Sequence, residues 1–230
     1  MSNVLTFSDL HEPFSITGYL KFLKRIYKKH KCNKVVVPGD VIDFHAVSFH
    51  QSEPDALGSE QEFEQAIKNL KAVYKAFPEA DYIPGNHCKR VHRVAANAGI
   101  SSIFIKDLHT LLEMPDGWKI HTDKYICDDV LYIHGEGYSG MNGHRNAAID
   151  NRMSTVIGHL HSHAGISNMA NDDSLIWGMN IGCGIDAAAY AMRYGKCFRN
   201  KPIVSCGVVI NGKPYLETMD LGTKIKRIKC

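Results

Sequence analysis

The sequence predicts an α/β protein, and three observations carry that expectation. In the first half, short apolar strands alternate with amphipathic helices. The second half is rich in strands separated by turn residues. Residues able to do chemistry fall at strand ends, and the carboxyl ends of strands are where open α/β sheets keep their sites.

Taken in order, Val4-Leu5-Thr6-Phe7 is a short buried strand that runs through Ser8 into Asp9-Leu10-His11 and is stopped by Pro13. Alternate residues of an extended segment point the same way, so Asp9 and His11 can face one point. Ser15 or Thr17 is placed to cap a helix. Its apolar face is Tyr19, Leu20, Leu23, Ile26 and Tyr27, and Lys21, Lys24, Arg25, Lys28 and Lys29 form a solvated back. Lys34-Val35-Val36-Val37 is a second strand, leading into Pro38-Gly39-Asp40-Val41-Ile42-Asp43. Residues 44–62, with His45 and His50, read as either a substrate flap or a long connection. Ser59 and Glu62 have the spacing of a capping box. The helix it would open carries Phe63, Ala66, Ile67, Leu70, Val73, Tyr74 and Phe77 at helical period, a core face.

Asp81-Tyr82-Ile83 is a third strand, ending in Pro84-Gly85-Asn86-His87. A helix over Arg90 to Ala98 is stopped by Gly99, and a weak one lies within 105–112. Strands follow at 118–121, 124–127 and 130–134, with Asp128-Asp129 turning between the last two and His134-Gly135 at the end. Gly137, Gly140 and Gly143 mark a loop before a short helix at 144–152. The β-branched run Thr155-Val156-Ile157 is a strand that ends in Gly158-His159-Leu160-His161, where alternation again lets both imidazoles face one side. Hairpins at 164–169/174–180 and 203–210/214–219 turn on Asn171-Asp172-Asp173 and Asn211-Gly212. No repeat, low-complexity stretch or linker divides the 230 residues, which suits a single domain over 1–230.

Composition narrows the class. An apolar fraction of 44%, a charged fraction of 22% and a net charge of +3 are those of an ordinary soluble globule, too little charge to argue for nucleic acid or membrane. Seven cysteines, an odd number without zinc-ribbon or redox spacing, argue against a disulfide framework and for a reducing, cytoplasmic setting. Val4 to Phe7 is already a strand, so no signal peptide is expected, and no apolar run reaches membrane-spanning length. The basic tail Lys224 to Lys229 reads as a solvated terminus.

Strand ends therefore deliver Asp9, His11, Asp40, Asn86, His87, His134, His159 and His161, expected along one edge of a sheet. Each has a plainer explanation alone: Gly39-Asp40 and Gly85-Asn86 could be turns. Together they are hard to explain so. Two carboxylates, an amide oxygen and several imidazoles, with no thiolate, suit manganese, iron or zinc. The donors outnumber what one ion takes, and two ions sharing a carboxylate would lie roughly 3.5–4 Å apart.

At these residues the sequence resembles the calcineurin-like metallophosphoesterases. Their pattern is Asp-x-His, Gly-Asp-x-x-Asp, Gly-Asn-His followed by an acid, a lone His, then Gly-His-x-His. Here it reads Asp9-Leu10-His11, Gly39-Asp40-Val41-Ile42-Asp43, Gly85-Asn86-His87, His134 and Gly158-His159-Leu160-His161. Asn180-Ile181-Gly182-Cys183 is similar to the Asn-x-Gly-Ser segment that follows in relatives. The resemblance spans about residues 4 to 220. It implies a double β-sandwich flanked by helices, a four-layer α/β/β/α fold. It also implies one metal held by Asp9, His11, Asp40 and His161, and a second by Asp40, Asn86, His134 and His159, with Asp40 bridging. His87 matches the histidine that protonates the leaving oxygen. One departure is Cys88, where relatives carry the acid that supports this histidine; Asp43 is a candidate substitute.

The resemblance implies a dinuclear, most simply manganese-dependent, hydrolase of phosphomonoesters or phosphodiesters, a phosphatase or phosphodiesterase in which a metal-bridging hydroxide attacks phosphorus and His87 is the general acid. Arg90, His45, His144, Arg145 and His163 are candidates for gripping the substrate. The alternatives are a DNA or RNA nuclease of the same fold, and a metal-binding scaffold without catalysis. Nothing in the sequence fixes oligomeric state.

Overall fold

The computed structural model describes residues 1–48, 56–189 and 199–222. The first half runs β1 (Asn3–Thr6), α1 (Tyr19–Lys29), β2 (Lys34–Gly39), α2 (Ser59–Ala76), β3 (Ala80–Pro84), α3 (Arg90–Asn97), α4 (Leu108–Leu111) and β4 (Trp118–Ile120). The second half runs β5 (Tyr125–Cys127), β6 (Val130–Ile133), α5 (Gly143–Asn151), β7 (Ser154–Ile157), β8 (Gly165–Ala170), β9 (Leu175–Asn180), β10 (Ser205–Ile210) and β11 (Lys213–Thr218). The basic tail and His50 lie outside the described residues.

Two sheets form. The first has strand order β11-β10-β1-β2-β3-β4, the second β5-β6-β7-β9-β8. β1 to β4 are parallel and β10 runs against β1. In the second sheet β6, β7 and β9 are parallel, with β5 and β8 antiparallel at the edges.

The side-chain period of two explains why the sheets stack. Val4, Val36, Ile83 and Val209 point toward the second sheet and pack with Val130, Tyr132, Val156, Trp177 and Met179. Their neighbours Leu5, Val35, Val37, Tyr82 and Val208 point the other way, onto Phe22, Leu23 and Ile26 of α1 and Ala66, Leu70 and Val73 of α2. A strand buried on both faces reads as a continuous apolar run, as 34–37 does. On the far side of the second sheet, α5 packs against β7, β8 and β9. Gly178 in β9 permits that approach, since a Cβ there would run into the His144 carbonyl. The layers are thus helix, sheet, sheet, helix, a double β-sandwich flanked by helices.

Three local expectations give way to other solutions. The ligand-bearing strand ends lie in both sheets rather than along one. β1, β2 and β3 lead to Asp9, Asp40 and Asn86, while β6 and β7 lead to His134 and His159. The cap of α1 is Gly18, with φ 91°, and Ser15 Oγ instead donates to Glu12 at 2.7 Å, so neither Ser15 nor Thr17 caps the helix. The capping box does not form either. Gly58 is the cap of α2, and the Glu62 carboxylate accepts the backbone N–H groups of His45 and Ala46 at 2.6 and 2.8 Å. That contact ties the start of the 44–62 segment to α2. The two-residue turns behave as their residues require: Asp128 and Asp129 have φ 49° and 61°, Asn211 and Gly212 51° and 75°.

The inter-sheet core should dominate stability. Ile83, 1% exposed between the sheets, should cost about 2–5 kcal/mol on truncation to Ala. Ile103→Ala, at an 82% exposed position, should stay within about 0.5 kcal/mol of the parent in the same denaturant titration. Equal midpoints for the two variants would remove the inter-sheet core from this role.

Candidate metal centre

The ends of β1, β2, β3, β6 and β7 converge on one buried cluster. Asp9 and His11 follow β1, but neither is extended: their φ values are 51° and 48°. The chain reaches the predicted convergence by two left-handed residues, not by strand alternation. Hydrogen bonds from His11 N to Asp40 O (3.1 Å) and Glu12 N to Val41 O (3.0 Å) lash this loop to the one after β2. His159 is also left-handed, φ 65°, inside a tight turn closed by Leu160 N to Gly158 O at 2.7 Å. Such a γ-turn is rare and strained, and its persistence marks a site the surroundings over-determine. Asn180 holds the turn, its amide donating to the carbonyls of Leu160 and His163 at 2.8 Å each.

Glycines make room for the donors. A Cβ on Gly85 would strike the Asp40 carboxylate, and one on Gly158 would strike Ser8 Oγ and Asp9 Oδ2. One on Gly39, whose φ is already 158°, would come within 2.8 Å of His134 Nδ1. The Gly in each motif is a steric requirement of the carboxylate or imidazole beside it.

The donors then fall into two groups. In the first, Asp9 Oδ1 lies 3.1 Å from His161 Nε2 and 3.6 Å from His11 Nε2. In the second, His134 Nε2 lies 3.0 Å from Asn86 Oδ1, 3.3 Å from Asp40 Oδ2 and 3.2 Å from His159 Nδ1. Asp9 also accepts the backbone N–H of His159 at 3.0 Å and the hydroxyl of Ser8. Asp40 Oδ1 accepts the N–H groups of His87 and Cys88 at 2.8 and 3.2 Å. His87 Nδ1 and His11 Nδ1 both meet Asp43 Oδ1, at 2.8 and 2.6 Å.

Residues 2–191 match the family model described as calcineurin-like phosphoesterase. The chain belongs to the calcineurin-like phosphoesterases. No curated protein matches it. Solved structures similar to it include YfcE, a phosphoesterase from E. coli, 13% identical over 91% of this chain and 88% of that one, TM-score 0.44. Vps29 of Chaetomium thermophilum is 10% identical over 95% and 97% of the two chains, TM-score 0.44. Vacuolar Protein Sorting 29 of Cryptosporidium parvum is 13% identical over 95% and 96%, TM-score 0.43.

The donors of this calcineurin-like chain fit divalent ions. Donors about 2.1 Å from one ion sit about 3.0–3.4 Å from each other, and the separations here run from 3.0 to 3.6 Å. Two further observations agree. His11 Nε2 is fully buried and has no hydrogen-bond partner among the described residues, the state of a nitrogen meant for a ligand. Triads able to hold an ion are Asp9–His11–His161, Asp9–Asp40–His134 and His11–Asp40–His87, so Asp9 and Asp40 each reach across both groups. Pro38 O lies 3.4 Å from His134 Nδ1, which sets the tautomer that turns Nε2 toward Asp40.

Electrostatics point the same way. Asp9, Asp40 and Asp43 are at most 2% exposed. Burial alone would raise their pKa values. The nearby His11 and His161 imidazoles hold Asp9 well below the usual range, the His134 charge does so for Asp40, and bonds from His11 and His87 do so for Asp43. Burial would lower His11 and His134, yet the Asp43 and Asp9 carboxylates push His11 up to about 10 and Asp40 pushes His134 up to about 9. Burial and a neighbouring imidazole depress His87 and His159. Three buried carboxylates demand positive charge, which the His11 and His134 imidazoles and the Arg90 guanidinium, 3.7 Å from Asp43 Oδ2, supply in the absence of metal.

Asp43 supplies the support that Cys88 cannot. Cys88 is fully buried, accepts the Tyr82 hydroxyl at 2.9 Å, and burial pushes its thiol up to about 12, so it is inert. Of the residues expected to grip substrate, Arg90 and His45 do lie at the cluster, with Arg90 Nη1 3.7 Å and His45 Nδ1 3.9 Å from Asp43 Oδ2. The hydrogen-bonded cluster does not include the other three. His144, on α5, is turned to Ser167 of β8 at 2.9 Å, Arg145 is exposed, and His163 lies beyond the His159 turn. A pocket of about 230 Å³ adjoins His134, lined by Lys89, Asp123 and Glu136 among others. What the sequence concealed is the double use of Asp43, whose partners are 32 and 44 positions away.

Because His11 and His134 hold protons in the metal-free cluster, divalent ions must displace them. Filling both sites at pH 8 should release about two protons per chain, and affinity should rise with pH up to the range of those pKa values. Calorimetry in buffers of different ionisation enthalpy measures this; metal uptake at pH 8 without proton release would contradict it.

Proposed function

We propose that the chain is a dinuclear metal-dependent phosphoesterase acting on a small phosphate ester. Asp9, His11, Asp40 and His161 hold one ion, and Asp40, Asn86, His134 and His159 the other. Manganese suits this mixed set best, with iron or zinc as alternatives. One observation carries the reading above the rest: the Asp40 carboxylate belongs both to the triad with His11 and to the triad with His134. When bound, such ions acidify a water and neutralise phosphoryl oxygens.

The chain's own groups do the remainder. Asp43 fixes the His87 ring through Nδ1 at 2.8 Å, and the His11 ring packs edge-on to it with centroids 4.4 Å apart. That leaves Nε2, which Arg90 Nη2 meets at 3.0 Å, as the ring nitrogen that can turn to the ester, where a histidine can protonate the leaving oxygen near neutral pH. The family match supports phosphate-ester hydrolysis. The modest pocket of about 230 Å³ beside His134 suits a small substrate. Among the described residues no helix is long and apolar enough to cross a membrane. We place the activity in the cytoplasm, in one domain over 1–230, from the free cysteines and the shared cores.

The test is turnover by metal-free protein supplied with manganese, on an aryl monoester and a bis-aryl diester. His87→Ala should keep its metal and lose roughly 10²–10⁴-fold in kcat on an alkyl phosphate, which needs the proton most, and less on a nitrophenyl ester. Equal losses on both esters would mean that His87 positions phosphate without delivering a proton. No turnover of any ester by the manganese-loaded parent would favour a metal-binding scaffold.

A further inference from the structure

Arg90 opens α3 three residues after His87 and is 8% exposed, deep burial for a permanent charge. Backbone carbonyls anchor one side of it: Nη1 donates to Asp43 O at 2.8 Å and reaches Phe44 O at 3.5 Å. The other side faces the candidate acid, with Nη2 3.0 Å from His87 Nε2. A guanidinium only donates, so His87 Nε2 accepts this bond and Nδ1 carries the ring proton toward Asp43. The nitrogen that must deliver a proton is therefore capped by a cation. The Asp43 carboxylate, 3.7 Å from Nη1, and the two carbonyls account for one side of the guanidinium, whereas among the described residues Nη2 meets only the neutral ring nitrogen and can turn to an anion that arrives beside it.

We propose that Arg90 is the residue that selects a dianionic phosphomonoester, its Nη2 passing from His87 to a phosphoryl oxygen so that substrate binding itself frees His87 Nε2 to take a proton from solvent water and then serve as the acid. The proposal rests on the metal centre and the His87 role given above. A phosphodiester has two non-bridging oxygens and one negative charge. A monoester has a third oxygen and a second charge, and this is what a cation beside the leaving-group acid can hold. Arginine suits the task better than lysine: its planar fork can keep the Asp43 carbonyl on one nitrogen while offering the other to phosphate. The carbonyl anchor also explains why the charge stays at the cluster while its second nitrogen changes partner. Within the fold, Glu62 holds the backbone of His45 and Ala46, immediately after the two anchoring carbonyls, so the segment that carries the anchor is fixed to α2.

The experiment uses manganese-loaded protein and inorganic phosphate as the probe, with Arg90→Gln and Arg90→Lys. Calorimetric titration should show phosphate binding weakened on the order of 10- to 100-fold in Arg90→Gln, the worth of a charge-assisted hydrogen bond. KM for an aryl monoester should rise by a similar factor, while KM for a bis-aryl diester stays within about 3-fold. Arg90→Lys, which keeps the charge but not the fork, should fall between. Metal content and thermal midpoint report whether the anchoring loop is intact. Parental phosphate affinity in a metal-replete Arg90→Gln protein would overturn the proposal, and so would an equal rise of KM for both esters. If Arg90→Gln fails to fold or to hold metal, the Lys variant decides by its monoester-to-diester KM ratio, an unchanged ratio counting against Arg90. If the parent hydrolyses neither ester, the proposed function falls, and the phosphate titration still decides the role of Arg90.

Discussion

Three carboxylates buried where two sheets meet set the terms for everything around them. Asp9, Asp40 and Asp43 are shielded from water, and ions of that kind are stable in a protein interior only when paired and hydrogen-bonded. Each is met by imidazoles from other parts of the chain, and Asp9 and Asp40 by backbone N–H groups as well. Asp9, from the first sheet, takes His159 N and His161 Nε2 from the second. Asp40, also from the first, faces His134 from the second. Asp43 closes the arrangement by engaging His11 and His87 together. The sheets are therefore joined twice, by the apolar seam of Val4, Val36, Ile83, Tyr132 and Met179 and by this charged cluster at one end of it. Divalent cations would give the cluster a net positive charge and make it attractive to a phosphate dianion.

The backbone accepts unusual conformations to satisfy this constraint. Asp9, His11 and His159 all lie in the left-handed region, where residues other than glycine are uncommon. Glycines at 39, 85 and 158 leave space that any side chain would fill with a clash. Local strain of this kind is held in place by the hydrogen bonds linking the loop after β1 to that after β2, and by Asn180 beneath the His159 turn. The result is a set of donors pre-placed at the spacing that an ion requires, which reduces the ordering needed when one binds.

Much of this was legible in the sequence, and the parts that were not share a physical cause. Strand runs such as 34–37 and the helical period from Phe63 to Phe77 are local patterns, and they folded as read. The two-residue turns at Asp128-Asp129 and Asn211-Gly212 depend only on residues that tolerate positive φ, and they too were readable. Asp9 and His11 come within 3.6 Å of each other through left-handed residues and not through alternation along a strand, while His159 turns to His134 and His161 to Asp9. Glu62 was misread because the spacing that makes a capping box says nothing of a backbone amide elsewhere that competes for the same carboxylate. Asp43 was visible as an acid near the motif, but its bridge between His11 and His87 is a tertiary contact. His144, Arg145 and His163 were read as candidates for gripping the substrate, and which way such side chains turn is a tertiary matter: α5 directs His144 onto β8.

The central claim is that Asp40 is shared by two ions at the meeting of the sheets. Crystals of the manganese-loaded protein, measured for anomalous scattering near the manganese edge, test it most directly. The account predicts two peaks about 3.5–4 Å apart, both within bonding distance of the Asp40 carboxylate, one toward His11 and His161 and the other toward His134 and His159. A single peak, or two peaks that do not share Asp40, would contradict it.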